Sequence, residues 1–303
     1  MHCVTSSILN CAARDSAAHG YCVGLITPAS LAGIVAVRST QFGGGIPHIL
    51  CVLQRRRYDM RTASRTGLDF VLPPCCLTCG VSTGGAPIPW VCQRCWGTVE
   101  YVTLPICAQC GQPLAAPPEG IATTTHRCGT CLLAPPTYDR ARAVGLYQGV
   151  LREVIHAMKY RRVYGLIQPL GDLLRQHFPA HWGDYPPEAL VPVPLHRSKL
   201  RVREFDQALA LARHVSQGVG IPLWADVLIR HRPTLSQVGL SAVERRQNIR
   251  GAFTVHKPQC CAGKALLIID DVYTTGATVQ ECARLLRQAG ATRVDVYTVA
   301  RVS

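Results

Sequence analysis

The sequence predicts an α/β domain with a parallel sheet flanked by helices, preceded by a small cysteine-rich domain. Three observations support this prediction. In the C-terminal half, apolar runs of strand length alternate with segments of helical periodicity, a pattern typical of parallel sheets with right-handed crossovers. Between Cys76 and Cys131, eight cysteines form four Cys-x-x-Cys pairs. Residues 265–278 run from an uncharged apolar stretch through two adjacent carboxylates into a loop of small and hydroxyl residues.

The four Cys-x-x-Cys pairs have the spacing of metal ligands. Two thiolates on one tight turn present half of a tetrahedron, and a second pair completes a four-thiolate zinc site. Gly80 and Gly111 each follow a pair, where the turn often needs a residue without a Cβ atom. The predicted ligands are Cys76, Cys79, Cys92, Cys95, Cys107, Cys110, Cys128 and Cys131.

These pairs predict two structural zinc ions in a double zinc ribbon over residues 72–135. We expect sequential sites, one from residues 76, 79, 92 and 95 and one from residues 107, 110, 128 and 131, although an interleaved arrangement also fits the spacing. Cys75 could also take the place of Cys76. Because thiolates fill every position, the metals should hold the fold and not catalyse.

The composition suits a folded chain of two domains, or of one domain with appendages. Apolar residues make up 48% of the 303 residues, which argues against global disorder. The formal net charge of +14 fits contacts with nucleotide phosphate or nucleic acid, but a soluble basic protein would show it too. Because the paired cysteines have metal-ligand spacing, we expect a reducing, cytoplasmic location.

Residues 1–71 form an extension ahead of the ribbon. The uncharged stretch 21–37 is only 17 residues long, contains Pro28 and lacks a basic region directly before it, so it is weak both as a signal peptide and as a membrane span. Met60 opens a plausible alternative start. We expect residues 1–59 to be poorly ordered or to come from a mis-called start, and we expect no membrane insertion.

Residues 136–303 alternate between strand and helix patterns. Apolar runs predict strands at 141–147, 189–194, 224–229, 251–255, 263–270 and 293–300. Helical patterns mark residues 150–158, the segment after 201–207, the segment that begins with a capping box at Ser241 and Glu244, and residues 279–289. A ligand of such a sheet should bind beyond the carboxyl ends of the strands.

The stretch at 265–278 has the chemistry of a site for a ribose 5-phosphate. Backbone N–H groups at a helix start bind anions, and threonine hydroxyls add donors. Gly276 permits a close approach or a positive φ. The carboxylates of Asp270 and Asp271 suit sugar hydroxyls or a hydrated Mg²⁺.

The order of the motifs resembles that of the ComF family, in which zinc ribbons precede a type I phosphoribosyltransferase-like domain. The resemblance covers about residue 72 to the end. After the four cysteine pairs, it rests on Lys159-Tyr160, Val191-Pro192-Val193-Pro194-Leu195-His196, Arg203-Glu204-Phe205-Asp206-Gln207, Gln237 with Leu240-Ser241, Glu244-Arg245, Asn248, Gly251-Ala252-Phe253, Asp270-Asp271-Val272 and Thr274-Thr275-Gly276-Ala277-Thr278.

This resemblance implies a site for phosphoribosyl pyrophosphate (PRPP) with Mg²⁺, in a protein associated with DNA uptake in natural transformation. The acids 270 and 271 would hold the ribose hydroxyls, and residues 274–278 the 5-phosphate. Residues 193–196 look like the pyrophosphate loop, and residues 201–207 and 237–248 look like a cover over the substrate. The implied PRPP contacts are Asp270, Asp271, Thr274, Thr275, Gly276, Ala277, Thr278, Val193, Pro194, Leu195, His196, Arg203, Gln207, Arg245 and Lys159.

One segment departs from the family pattern. Where the family usually has Arg-Gly-Phe-Asn-Gln, this chain has Glu204 and Asp206 in the second and fourth positions. The change removes a flexible point and brings two carboxylates close to the expected path of a polyanionic ligand. We therefore expect this segment to be the weakest part of a PRPP site.

Two functions are open from the sequence. One is phosphoribosyl transfer with release of pyrophosphate, which needs positioning and charge stabilisation from the protein, although no base-recognition element and no general base for an acceptor are visible. The other is a non-catalytic module that binds PRPP or single-stranded DNA and acts with competence proteins. Aromatic residues make up only 6% of the chain, so no aromatic platform for single strands is evident.

Overall fold

In this computed structural model, the described residues are 74–84, 86, 88, 90–115, 126–203, 205–234 and 241–303, without the side chains at 202, 203, 242 and 246. The predicted extension over residues 1–71, with its uncharged stretch 21–37, lies outside them. Over the described ranges, no helix is both long and apolar enough to cross a membrane.

The cysteine-rich part contains two short helices, and the rest of the described chain alternates between strands and helices. The first two helices are α1 (Gln93–Trp96) and α2 (Gly129–Leu133). They are followed by β1 (Ala141–Leu146), α3 (Gly149–Tyr160), a 3-10 turn (Tyr164–Leu166), α4 (Ile167–Trp182), β2 (Ala189–Pro192), α5 (Arg197–Arg203), α6 (Gln207–Val219), β3 (Leu228–Arg230), α7 (Ala242–Ile249), β4 (Phe253–Val255), α8 (Pro258–Cys261), β5 (Ala265–Tyr273), α9 (Ala277–Gln288) and β6 (Arg293–Arg301).

The main sheet is parallel, with the strand order β1-β6-β5-β2 among the described strands. Both faces of its central strand β5 are covered. Leu267 and Ile269 belong to a buried cluster with residues of α3, α4 and α6, whereas Leu266 and Ile268 belong to a second cluster with residues of α9. Burial on both faces explains why residues 265–269 of this strand are continuously apolar.

The ribbon packs directly on the edge of this sheet. The Val102 N–H donates to the Val144 carbonyl at 2.9 Å, and the Leu146 N–H donates to the Glu100 carbonyl at 2.8 Å. Val91 and Val99 of the ribbon are buried in the same cluster as Leu151 of α3, together with other apolar residues of the sheet and its helices. The cysteine-rich part and the sheet therefore share a hydrophobic core.

Several local predictions are confirmed. Gly80 and Gly111 adopt positive φ angles of 75° and 71°. The capping box forms reciprocally, since the Ser241 N–H donates to Glu244 Oε2 at 2.7 Å and the Glu244 N–H donates to Ser241 Oγ at 3.3 Å. Helix α7 then begins at Ala242.

Three predicted elements differ from the structure. The strands predicted at 224–229 and 251–255 shorten to β3 and β4, which pair antiparallel with each other outside the parallel sheet. The strand predicted to end at Asp270 continues to Tyr273, because β5 goes on pairing with β6 up to Arg301. Helix α4 has no counterpart in the sequence-based prediction, since Pro169 and Pro179 interrupt its pattern near its two ends.

Candidate functional site

Residues 274–278, predicted to form the phosphate loop, comprise the loop between β5 and α9 and the first two residues of that helix. Gly276 is the N-cap of α9 and has a φ of +74°, a conformation that favours glycine. Its carbonyl accepts the N–H of Gln280 at 2.9 Å and starts the helix. The first N–H groups of α9 therefore point towards the carboxyl edge of the sheet, which is a suitable place for an anion.

The two acids at the end of β5 share a buried environment with a lysine. Nζ of Lys159, on the last turn of α3, lies 2.8 Å from Oδ1 of Asp271. Burial disfavours the charged lysine, but the ion pair with Asp271 and the charge of Asp270 outweigh it, so the pKa of Lys159 is raised. One cation thus faces two carboxylates.

Asp270 is the member of this group that is poorly compensated. Its Oδ1 accepts the N–H of Asp271 at 2.9 Å. Burial, followed by the neighbouring charge of Asp271, raises the pKa of Asp270 to about 7. At neutral pH this carboxyl is therefore poised between its acid and its base form, and a cation bound beside it would favour the base form.

Asp206 joins the loop after β2 to the start of α6, on the side of the site opposite the two acids. Its Oδ1 accepts the Leu209 N–H as the N-cap of α6, and its Oδ2 accepts the Leu195 N–H, each at 3.0 Å. Burial, together with the charge of Asp271, raises the pKa of Asp206. The carboxylate predicted to interfere with a polyanion is thus engaged with backbone amides, while Glu204 lies outside the described residues.

Most of the predicted site residues converge on one open cleft of about 1100 Å³ at the carboxyl edge of the sheet. The predicted residues on its wall are Lys159, Val193, Leu195, Gln207, Arg245, Asp270, Asp271, Thr274, Thr275, Gly276, Ala277 and Thr278. Among the described residues, Pro194 and His196 do not line it. His196 instead places Nδ1 2.8 Å from Ser198 Oγ. Arg203 is the last residue of α5, and its side chain lies outside the described part.

Other residues that line the cleft were not predicted from the sequence to belong to it. They include Tyr138, Tyr147, Lys199, Arg230, Tyr273, Arg301 and, from the second ribbon, Cys110, Gln112, Thr130 and Cys131. The position of Arg301 could have been expected, because the carboxyl ends of parallel strands meet at one edge of a sheet. The ribbon residues carried no such signal, since their docking on the sheet is a long-range contact.

The eight predicted metal ligands form two groups in the sequential arrangement. Cys76, Cys79, Cys92 and Cys95 form one group and Cys107, Cys110, Cys128 and Cys131 the other, with the sulfur atoms of each group within 4.8 Å of one another. The interleaved arrangement is therefore excluded.

The sulfur geometry suits a tetrahedral metal. The Sγ atoms of Cys79 and Cys92 are 3.6 Å apart, and those of Cys110 and Cys128 are 3.7 Å apart. These distances are close to the edge of about 3.8 Å in a tetrahedron with metal–sulfur bonds of 2.3 Å. Each group thus has the size of a four-thiolate zinc site.

The charges of the second group also call for a cation. Burial disfavours the thiolate of Cys107, but amide hydrogen bonds from Cys128 and Cys110 outweigh it and lower its pKa to about 6. Burial raises the pKa of Cys110 to about 11, and the adjacent charge of Cys107 adds to the shift. Four thiolates this close together need a metal to hold them ionised.

Both parts of the chain match known families. Residues 67–132 match the family described as "Double zinc ribbon domain", and residues 206–303 match the one described as "Phosphoribosyl transferase domain". The fold and the site thus define a type I phosphoribosyltransferase-like α/β domain that follows a double zinc ribbon with two four-cysteine sites, as predicted.

Similarity to individual proteins shows which family within this class the chain belongs to. The chain is 31% identical to Competence protein F of Haemophilus influenzae over 217 residues, which is 70% of this chain and 90% of the relative. It is 34% identical to the DNA utilization protein YhgH of Escherichia coli over 215 residues, covering 70% and 88%. Competence protein ComFC of Bacillus subtilis is 25% identical over 268 residues, covering 87% and 99%. The chain belongs to the ComF family.

Proposed function

We propose that this protein binds PRPP in the cleft at the carboxyl edge of its sheet and acts in DNA uptake. The observation that supports this function is that the two acids, residues 274–278 and the loop after β2 all line one cleft. Asp270 and Asp271 hold the ribose hydroxyls, and the amides and hydroxyls of residues 274–278 hold the 5-phosphate. The pyrophosphate lies between the loop after β2, where Val193 and Leu195 line the cleft, and Arg245, whose guanidinium suits its charge.

Mg²⁺ is the cation that we propose to accompany PRPP. Mg²⁺ in such sites takes one or two carboxylates together with substrate phosphates. The adjacent carboxylates of Asp270 and Asp271 fit this requirement. Burial, followed by the charge of Asp271, raises the pKa of Asp270, and a bound cation would stabilise its charged form. Lys159 pairs with Oδ1 of Asp271, so Asp270 is the more available ligand.

Zinc is the metal that we propose for the two four-cysteine sites. Both groups offer only sulfur donors at tetrahedral spacing, and such sites leave no open position for a substrate. Backbone amides of the cysteines themselves donate hydrogen bonds to sulfur, as the Cys128 N–H does to Cys107 Sγ at 3.2 Å. The ions would therefore fix the ribbon and take no part in a reaction.

The cellular setting follows from the relatives and from the cysteines. The relatives are named as competence and DNA utilization proteins, and we propose the same role for this chain, with single-stranded DNA and other competence proteins as partners. Its formal charge of +14 favours contact with a polyanion. Thiolate metal sites persist where cysteines stay reduced, so we place the protein in the cytoplasm.

Two activities are compatible with a PRPP site. Phosphoribosyl transfer would need the cleft to stabilise charge on the departing pyrophosphate, for which Arg245 and a Mg²⁺ beside Asp270 are suited. Binding without turnover is favoured by a different observation. Asp206 engages the Leu195 N–H at 3.0 Å, so this amide of the pyrophosphate loop is not available to a ligand.

Pyrophosphate release separates the two activities. The protein is mixed with PRPP and Mg²⁺, alone and with a panel of nucleobases or single-stranded DNA, and the pyrophosphate formed is measured. Release stimulated by one acceptor establishes transfer, whereas PRPP binding in calorimetry without release establishes a binding module. The double variant Asp270→Asn, Asp271→Asn is the control and should bind no PRPP while it remains folded. Unchanged affinity in that variant would rule out the proposed site.

A further inference from the structure

Arg301 connects the second four-cysteine site to the strand that carries the phosphate loop. It is the last residue of β6, and only 3% of its surface is exposed. Its Nη1 donates to the Cys110 carbonyl at 2.5 Å. On its other side, the guanidinium carbon lies 5.1 Å from the ring centroid of Tyr273, a cation–π contact. Tyr273 is the last residue of β5 and directly precedes the phosphate loop.

The Tyr273 hydroxyl packs against the backbone of Gly276 in the phosphate loop. It lies 2.7 Å from the Tyr138 hydroxyl, and a Cβ atom at Gly276 would lie only 2.3 Å from it. The backbone of Gly276 therefore rests on the phenol, and a displaced ring would displace the start of α9. Since the first amides of α9 are the proposed phosphate donors, the ring position sets the geometry of that site.

A second connection runs from the same cysteine turn to Tyr138. Nε2 of Gln109, which lies between Cys107 and Cys110, donates to the carbonyls of Pro136 and Tyr138 at 3.4 Å each. The Gln109 carbonyl accepts the Ala141 N–H at 2.7 Å. One turn of the ribbon thus holds both tyrosines, one through Arg301 and the other through Gln109.

Electrostatics favours this arrangement. Among the described residues, Arg301 forms no ion pair with a carboxylate, and its buried Nε has no hydrogen-bond partner. Four thiolates around a divalent zinc carry a net charge of about −2. A metal-loaded second site would therefore attract the buried guanidinium and hold it against Tyr273.

We propose that Arg301 and Tyr273 are positioning residues, through which the second four-cysteine site holds the phosphate loop in its binding geometry. This inference rests on the proposed PRPP function and concerns the 5-phosphate part of that site. The pyrophosphate loop belongs to a different strand, β2, and is held by Asp206. Disturbing Arg301 should therefore weaken the binding of a ribose 5-phosphate and leave the binding of inorganic pyrophosphate with Mg²⁺ unchanged.

The test is calorimetry with ribose 5-phosphate and, separately, with inorganic pyrophosphate and Mg²⁺. Arg301→Gln should lower the affinity for ribose 5-phosphate by about five- to tenfold, the factor expected for roughly one lost hydrogen bond. Arg301→Lys should recover part of this affinity. Arg142→Gln is the matched control. Arg142 binds the same cysteine turn through the Ala108 carbonyl at 3.0 Å, and its loss should change neither affinity.

A second measurement addresses the metal. Cys110→Ser should lower the zinc content by one ion per chain. It should also lower the affinity for ribose 5-phosphate as much as Arg301→Gln does. Wild-type affinity for ribose 5-phosphate in Arg301→Gln, or an equal loss for both ligands, would overturn the inference. A wild-type protein that binds neither ligand would instead refute the proposed function itself, so the two failures are distinguishable.

Discussion

Nζ of Lys159 lies 2.8 Å from Oδ1 of Asp271, and these side chains are only 16% and 10% exposed. The pair joins the end of α3 to the end of β5, next to a second acid, Asp270. Lys159 is therefore a largely buried part of the wall of the cleft. Its main interaction is with an acid of the chain itself.

Replacing Lys159 should lower the free energy of unfolding. Lys159→Met leaves the buried Asp271 and the half-buried Asp270 without their cation, and loss of one partner of a buried ion pair costs about 3 kcal/mol. Lys257→Met is the control, because its pair with Asp226 at 2.5 Å is largely exposed and its loss should change stability little. Urea unfolding checks both variants, and equal midpoints would contradict the buried role of Lys159.

The raised pKa of Asp270 predicts a stability that depends on pH. In the unfolded chain this carboxyl titrates near pH 4, whereas in the folded protein its pKa is about 7. The folded state therefore holds a proton that the unfolded state has released, and stability falls as the pH rises through this window. Asp270→Asn should match the wild type below about pH 4 and gain on the order of 4 kcal/mol at pH 8. Thermal melts across this range measure the difference, and a constant difference would refute the assignment.

Asp206 should show two separable roles. Asp206→Ala removes the cap of α6 and should cost about 1–2 kcal/mol. Asp206→Asn keeps one acceptor for the Leu209 N–H but replaces the second oxygen with a donor, so the Leu195 N–H loses its partner. Hydrogen exchange at Leu195 should therefore accelerate in the Asn variant while α6 stays protected. Protection of Leu195 as in the wild type would show that the second bond is unimportant.

Gly111 should tolerate substitution less well than another glycine with the same backbone angle. A Cβ at Gly111 would lie 2.5 Å from the Ala141 carbonyl oxygen, whereas nothing lies within 4 Å of one at Gly220. Both residues have positive φ, at 71° and 72°, so both alanine variants carry the left-handed cost of about 1–2 kcal/mol. Only Gly111→Ala adds a backbone clash, and chemical unfolding should show it as clearly the less stable variant.

Metal analysis should find two zinc ions per chain. Each group has four sulfur atoms within 4.8 Å of one another, and Cys107→Ser should reduce the content to one ion, because the remaining three sulfurs hold zinc less tightly. Elemental analysis of protein purified without chelators makes the measurement. A preparation that is folded and free of metal would contradict the proposed zinc sites.

The parts that the sequence predicted well are local. The turn between β5 and α9, the cysteine turns and the capping box each depend on residues a few positions apart, so spacing was enough to recognise them. The antiparallel pairing of β3 and β4 was missed because apolar runs do not reveal which strand is the partner. Arg301 and Tyr138 were missed because their roles depend on the docking of the ribbon, which no local pattern encodes.

Asp206 shows the same limit at a single residue. From the sequence, an extra carboxylate beside an anion site indicated repulsion. In the structure both of its oxygens accept backbone N–H groups, at 3.0 Å each, and a side chain used in this way presents little charge to the cleft. The sequence thus predicted the charge of Asp206 but not the backbone groups that its oxygens contact.

The strand order β1-β6-β5-β2 also has a consequence for synthesis on the ribosome. The ribbon and β1 emerge early, but β6 lies between β1 and β5, so the sheet cannot close until residues 293–301 have left the exit tunnel. Until then, β1 lacks its neighbour and the ribbon turn lacks Arg301. Because these contacts are so distant in sequence, the nascent chain should wait in a partly folded form, and chaperones would have most to protect in that interval.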